Sequence, residues 1–335
     1  MGLRSTVKLL LPSFLLNWLR KIRYKKECKA CYAYDAKRFT QYSNSFYKWD
    51  SSEKLIGQIV AEYHVIEKGL TMPNMKLGFG IDMMKSLIEH CKLYRLHFNN
   101  TNEQFLHALG VIAEYRLFHE RNNYVVNEML VISIDELLSQ SDCSYSSPQL
   151  AMSRDDYFKF SYASFEDFSS SRHSLRNFSG TIDVGLLEKA VRLSQNAPSA
   201  CNRQPSRVYI IQDKKIIKQI LALQTGNRGF GHLADKLVIL TGELGGFLSL
   251  SERNDVFLNV GIYAMNLLYA LHYYQIGTCA LNWCSMPDQD QKLRRICDII
   301  PSENVILIIA CGGVPDKFKI ALSYRNDYLS ILRIR

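Results

Sequence analysis

Two arginines and a serine stand at alternate positions in the middle of the chain, as Arg172, Ser174 and Arg176. If this segment is extended, the three side chains point to the same side, because the side chains of a strand alternate between its faces. Each guanidinium offers a planar fork of donors, and the serine hydroxyl adds another polar contact. The spacing therefore predicts a site for a phosphate or for a polyhydroxylated chain.

A second polar segment follows a predicted helix. Asp183 begins that helix, whose apolar residues recur at spacings of three and four, and a proline ends it because the residue before a proline avoids helical backbone. The next residues, 198–205 (PSACNRQP), are rich in small and amide side chains. Asn202 and Gln204 each carry a donor and an acceptor, which suits a heterocycle with both kinds of edge. A short buried strand over 208–211 is predicted to follow.

The order Arg-x-Ser-x-Arg, helix, Ala-Pro-Ser-x-x-Asn-x-Gln-Pro and strand resembles the start of the flavin-dependent nitroreductase family. The resemblance extends over about residues 165–335, and its motifs lie in 171–207. It implies an α+β fold with a mixed sheet flanked by helices, in an intertwined homodimer with one FMN at each of two interface sites. The implied activity takes hydride from NAD(P)H onto the flavin and passes electrons to a second substrate, which is unidentified for this chain.

The resemblance also implies which residues bind FMN. The cations and the serine would bind the phosphate and the ribityl hydroxyls, and the polar loop would contact the ring from one subunit or its partner. The backbone around Leu281 and Asn282 would donate to flavin N5, and Arg325 would join the phosphate site. Ser323 stands where the family often has a second cation, which weakens that contact. The implied cofactor-binding residues are Arg172, Ser174, Arg176, Pro198, Ser199, Asn202, Gln204, Leu281, Asn282 and Arg325.

No side chain is assigned as a catalytic acid, base or nucleophile. A flavin supplies the redox chemistry itself, so that the protein has to hold it, tune it and expose one face. An apolar helix over 254–274 is expected either at the centre of the domain or in the subunit interface.

The net charge of +9 is concentrated at the start of the chain. Residues 1–50 carry eleven Lys and Arg against three acidic residues, and the rest of the chain is close to neutral, so no nucleic-acid partner is expected. The nine cysteines are irregularly spaced, which favours a reducing compartment and predicts a cytoplasmic protein. The single pair Cys28-x-x-Cys31 has no second pair, and no metal site is predicted.

An apolar stretch over 7–19 leads into a basic run over 20–26. Polar residues interrupt it and no small-residue cleavage site follows, which argues against a signal peptide, and it is too short to span a bilayer. Two interpretations stay open for residues 1–30. They lie on an anionic membrane surface, at the inner face of the membrane, or they form a helix that packs on this protein's own body or on a twin subunit.

The predicted organisation has three parts. A basic amphipathic segment occupies 1–50, a mainly helical region 51–155, and an FMN-binding domain 156–335. Apolar stripes predict helices over 51–69, 81–98 and 102–122, and a short strand with a helical turn is expected over 130–138. The Ser-rich residues 139–155 are interpreted as a linker.

His64, Glu67 and Lys68 share one face of the first of these helices. Such a titratable cluster could move protons, although a surface network is the commoner arrangement. The motif HVIEKGL at 64–70, with GFG at 78–80, resembles nitroreductase-like proteins found with bacterial polysaccharide-biosynthesis genes. The hypothesis is that the helical region covers the open face of the flavin and selects the substrate.

Two other functions fit the same residues. One is a redox-inactive binding or scaffold protein of nitroreductase fold, docked by its basic N-terminus to a membrane-associated polysaccharide assembly. The other is a flavin-dependent dehydrogenase acting on a heterocycle or a sugar derivative, because the fold does not fix the direction of the reaction.

Overall fold

The computed structural model describes residues 12–42, 49–98, 101–140 and 149–335. The first part of the chain is helical, with α1 (Ser13–Tyr42), α2 (Ser52–Gly69), α3 (Ile81–His97), α4 (Glu103–Arg121) and α5 (Glu128–Ser139). The second part mixes strands and helices, in the order β1 (Gln149–Ser153), α6 (Arg154–Phe158), α7 (Phe165–Ser171), α8 (Val184–Ser194), β2 (Ser206–Ile211), α9 (Lys214–Leu223), β3 (Lys236–Glu243), α10 (Asp255–Tyr273), β4 (Gly277–Asn282), α11 (Pro287–Cys297), β5 (Glu303–Gly312) and β6 (Lys317–Ala321). The predicted α+β class with a mainly helical N-terminal region is confirmed.

Helices α2 to α5 pack around a core of their own. The buried residues recur at helical spacing, as the stripes predict, and they include Leu55, Ile59, Ile66, Met84, Leu87, Phe105, Leu109, Ile112, Ile134 and Leu137. Side chains cap the helices: Ser51 Oγ accepts from the Lys54 N–H, and Asn127 Oδ1 accepts from the Leu130 N–H. The strand predicted over 130–138 was wrong, because the Asn127 cap starts a helix whose buried face continues to Leu137.

A four-stranded sheet in the order β2-β3-β5-β4 forms the centre of the second part. Its three ladders are antiparallel. Along β3 the side chains alternate between two cores: Leu237 and Ile239 pack toward α9 and α11, while Val238 and Leu240 pack toward α8 and α10. Because helices cover both faces, the central residues of the middle strands are apolar, as their sequences indicate.

A separate two-stranded sheet joins distant parts of the chain. Strand β1, which falls in the segment interpreted as a linker, pairs antiparallel with β6, and residues 141–148 of that segment lie outside the described residues. Tyr157 and Phe158, just after β1, are buried in the core of the second part. The domain boundaries given above stay a prediction.

The segment 172–180 contacts the free edge of β4 and the end of β5. The Leu175 N–H donates to the Thr278 carbonyl (2.7 Å), and the Ser179 N–H donates to the Gly313 carbonyl (2.9 Å). At Gly313 a Cβ would collide with the Ser179 carbonyl oxygen, so the approach requires glycine. The Leu175 hydrogen bond holds the middle of the Arg-x-Ser-x-Arg segment beside β4, and the backbone of Arg172 is extended, as the alternate spacing predicts for that residue.

Helix α1 has no buried residue, and Arg253 forms a two-pronged ion pair with its Asp35 (2.8 and 2.9 Å). Residues 1–11 of the proposed membrane segment lie outside the described residues. Among the described helices, α10 alone is long and apolar enough to cross a membrane, but half of it is buried in the protein, as in the core helix of a globular domain.

Replacing Gly313 with alanine should destabilise the protein by about 1–3 kcal/mol, because the added methyl forces backbone apart. The matched control is Gly57→Ala in α2, where nothing lies within 4 Å of the new methyl, and the helix should gain about 0.5–1 kcal/mol. Thermal unfolding of the Gly313→Ala and Gly57→Ala variants measures the difference in their stability. Equal midpoints for the two variants would contradict the close approach at Gly313.

Candidate functional site

The three residues of the Arg-x-Ser-x-Arg motif converge on one buried thiol, that of Cys279 in β4. The Ser174 hydroxyl is near enough to this thiol to lower its pKa. Burial raises the pKa of the Cys279 thiol, and the positive charges of Arg176, Lys68 and Arg172 act in the opposite direction. The two arginines and Lys68 are therefore close enough to one another to act on a single side chain, at the edge of β4.

Arg325 belongs to the same group of charges. Burial lowers the pKa of His173, and the neighbouring cations Arg172 and Arg325 lower it further. We call Lys68, Arg172, Arg176 and Arg325 the cation cluster. Within the described ranges, no member of the cluster has a carboxylate within salt-bridge distance.

The cation cluster is chemically suited to an anion. Arg176 is 8% exposed, so a good part of its charge is removed from water. Desolvated like charges repel each other unless a counter-charge is present. The donors are planar guanidiniums, an ammonium and a hydroxyl, and these are the groups that bind a phosphate. The residues present therefore fit the phosphate of a flavin mononucleotide.

Glu67 of α2 is next to Lys68 of this group, and it is fully buried. His64 Nδ1 lies 3.0 Å from its Oε2, His107 Nε2 lies 3.1 Å from its Oε1, and the Ser323 N–H donates to the same Oε1 (3.1 Å). Burial raises the pKa of Glu67, but the hydrogen bonds from His107, His64 and Ser323 outweigh it and hold the pKa at about 2. The carboxylate is therefore charged and fully engaged with its own donors.

His64 connects this carboxylate to the cation cluster. Arg176 Nη2 lies 3.4 Å from His64 Nε2. Because a guanidinium can only donate, His64 accepts at Nε2 and donates at Nδ1 to Glu67, which assigns its neutral tautomer from the hydrogen-bond network. The hypothesis from sequence that His64, Glu67 and Lys68 cover the open face of a flavin stays a prediction; the structure places His64 next to Arg176, one of the predicted phosphate ligands.

The segment that carries Arg325 is held by the helical region. Three hydrogen bonds contribute to this, and the first is the bond from the Ser323 N–H to Glu67. In the second, Gln104 Nε2 donates to Asn326 Oδ1 (2.6 Å). In the third, the Asp327 N–H donates to Glu103 Oε2 (2.9 Å). Ser323 has φ near +50°, a left-handed conformation that costs energy in a serine. The carboxylate thus orients the residue two positions before Arg325.

The polar loop 198–205 is ordered by its own contacts. Asn259 Oδ1 accepts from the Ala200 N–H (2.6 Å), Ser199 Oγ accepts from the Gln204 N–H (3.0 Å), and Gln204 Nε2 donates to Asn202 Oδ1 (3.2 Å). A cleft of about 310 Å³ is lined by Pro198, Ser199, Gln204, Asn259 and Tyr263, among others.

The backbone of this loop is strained. Cys201, Asn202 and Gln204 have φ between +49° and +55°. Strain of this kind collects in segments that hold a ligand.

The cation cluster and the polar loop lie at opposite edges of the sheet. The cluster borders β4 and the loop leads into β2, and β3 and β5 stand between them. Three strand spacings correspond to about 14 Å. The structure brings together Arg172, Ser174, Arg176 and Arg325, and it separates them from the loop residues Pro198, Ser199, Asn202 and Gln204.

The two predicted backbone donors in β4 differ in direction. The Thr278 carbonyl faces the free edge, where it accepts from Leu175. Backbone groups alternate along a strand, so the Asn282 amide faces the same free edge and the Leu281 amide faces β5. The Leu281 side chain is buried in the core, while Asn282 is exposed. Of the two, Asn282 is placed to donate to a ligand.

Residues 170–227 match the model of the Nitroreductase family. The match spans both motifs, so the resemblance seen in the sequence is confirmed for this segment. No curated protein is significantly similar to the chain.

Solved nitroreductase-like structures resemble about half of the chain. A nitroreductase family protein from Streptococcus pneumoniae is 20% identical, with a TM-score of 0.45, over 51% of this chain and all of the other. An FMN-dependent nitroreductase from Clostridium difficile is 21% identical, with a TM-score of 0.40, over 48% of this chain and 91% of the other. A nitroreductase-like protein from Streptococcus mutans is 16% identical, with a TM-score of 0.44, over 51% of this chain and 98% of the other.

Replacing Glu67 with glutamine should destabilise the protein by about 2 kcal/mol at neutral pH, because an amide nitrogen would face a buried donor. The wild-type carboxylate has a pKa of about 2 in the fold against an ordinary value of 4.5, so its stabilisation is complete above pH 4.5 and is lost as the pH falls toward 2. Urea unfolding across this pH range measures the difference in free energy of unfolding between the wild type and the Glu67→Gln variant. The control is Glu89→Gln on the exposed face of α3. A difference that stayed constant down to pH 2 would contradict a charged Glu67.

Proposed function

We propose that the protein is an FMN-dependent oxidoreductase of the nitroreductase type, with NAD(P)H as electron donor and a second substrate as acceptor. The observation that carries the proposal is the cation cluster, which has no carboxylate partner among the described residues and includes the arginines of a segment that matches the Nitroreductase family. Bound FMN would supply the redox chemistry through its isoalloxazine ring.

The residues of this chain would hold the cofactor and limit water. Arg172, Arg176 and Arg325 bind the phosphate, and Ser174 donates to it or to a ribityl hydroxyl. The Asn282 amide donates from the edge of β4 to the ring. Asn202 and Gln204 present mixed donor and acceptor groups to the ring or the ribityl chain.

We further propose that two copies of the chain build each site. In one copy the cation cluster and the polar loop lie at opposite edges of the sheet, with β3 and β5 between them, so that the loop of a partner would meet a ligand bound at the cluster. Helix α10 supports a dimer: while its other face packs on the sheet, Leu258 is 62% exposed, and Ile262 and Met265 follow it on the same exposed face. An apolar stripe of this kind is typical of a subunit interface.

The acceptor, the link with polysaccharide biosynthesis and the cytoplasmic location with membrane contact through residues 1–30 stay predictions. The exposed, basic helix α1 is compatible with a membrane surface and with a twin subunit alike.

The purified protein should show flavin absorption after addition of FMN, and NAD(P)H should bleach it in the absence of oxygen. An Arg172→Ala, Arg176→Ala double variant should bind FMN about 100-fold more weakly or worse, because two charge-assisted contacts are lost. Lys85→Met on α3 is the control. A wild-type protein that stays colourless with FMN would refute the redox proposal and favour a binding or scaffold protein.

A mixing experiment tests the shared site. One variant lacks Arg172 and Arg176, the other has Asn202→Ala and Gln204→Ala, and each alone should bind FMN poorly. Heterodimers formed by co-expression contain one intact site, so that about a quarter of all sites should recover tight binding. If mixing restores nothing although heterodimers form, the site does not combine these two groups from different chains.

A further inference from the structure

Helix α2 presents three residues in a row to the second part of the protein. His64 and Lys68 are four positions apart on one face of α2, and Met72 lies in the turn that follows the helix. His64 contacts Arg176 at one end. At the other end Met72 packs on the core of the second part, and its sulfur lies 3.2 Å from where a Cβ on Gly229 would be. Lys68 lies between these two contacts, so it faces the cation cluster.

The ammonium of Lys68 has an unfavourable environment in the protein alone. It is half-buried, burial lowers its pKa, and Arg176 lowers it further. The adjacent carboxylate of Glu67 acts in the opposite direction, but burial and Arg176 outweigh it, and its oxygens already accept from His64, His107 and the Ser323 N–H. An anion bound beside Lys68 would stabilise this charge.

We propose that Lys68 is a phosphate ligand, so that the N-terminal helical region completes the cofactor site from outside the segment that matches the family. This inference rests on the proposed FMN-dependent function and adds to it the contribution of α2. Ser323 stands where the resemblance implies a second phosphate-binding cation, and Lys68 supplies a positive charge from another part of the fold. The Ser323 backbone meanwhile binds Glu67, next to Lys68 in the chain.

In this arrangement the neighbouring residues Glu67 and Lys68 have different roles. Glu67 points to His107 and to the Ser323 backbone and fixes the position of α2 against the C-terminal segment. Lys68, one residue later, is turned by about 100° around the helix axis toward the cluster. The carboxylate positions the helix, and the ammonium binds the ligand.

A comparison of FMN with riboflavin, which lacks the phosphate, distinguishes a contact between Lys68 and the phosphate from a purely structural role of Lys68. The experiment measures the affinity of the full-length protein for FMN and for riboflavin by fluorescence quenching, in wild type and in Lys68→Met, with Lys85→Met as a matched control on α3. Lys68→Met should weaken FMN binding about 10- to 100-fold, and riboflavin binding should not change. Lys68→Arg keeps the charge and should recover most of the FMN affinity.

Thermal unfolding without flavin gives a second readout. Lys68→Met should be at least as stable as wild type, because it removes a repelled and desolvated charge, and FMN should raise its midpoint less than that of wild type. Equal FMN affinity in the two proteins, or an equal loss for FMN and riboflavin, would overturn the role of Lys68 and leave the proposed function standing. If the wild-type protein binds neither flavin, both proposals fail.

Discussion

The arrangement of the candidate site depends on one buried carboxylate. Glu67 carries a full negative charge in the interior, and such a charge is tolerated only when hydrogen bonds surround it. Its donors come from its own helix, from α4 and from the C-terminal segment, so that it ties three parts of the chain together at one point. Moving any one of these parts would remove one of the donors to Glu67. The loss would lower the stability of the fold by several kcal/mol.

The second constraint is the free edge of β4. A strand edge offers unpaired backbone groups, and Leu175 covers part of that edge by donating to the Thr278 carbonyl, while Ser179 donates to Gly313 just after β5. This pairing presents the arginines of the motif beside the edge, next to His64 and Lys68. Glu67 thus fixes the position of α2, and the edge of β4 fixes the position of the two arginines. The cation cluster forms where α2 and the arginine segment lie next to each other.

The local features were predictable from sequence and the long-range ones were not. Period-two spacing predicted the extended motif around Ser174, and helical stripes predicted α2 to α4. The partners of Glu67 lie 40 and 256 residues away at His107 and Ser323, and no spacing rule links positions so far apart. Strand β1 was missed because its partner β6 lies at the other end of the second part, and a five-residue strand has little pattern of its own.

The position of Ser323 also has a consequence for the order in which the chain becomes complete. The last donor to Glu67 is made 256 residues after the carboxylate itself. At about 5–20 residues per second, the ribosome needs roughly 10–50 s to supply it. During that interval the helical region can close its apolar core but leaves its buried charge short of one hydrogen bond. We therefore expect the nascent helical region to stay looser around α2 until translation has passed Ser323, and the cation cluster to be the last part of the fold to assemble.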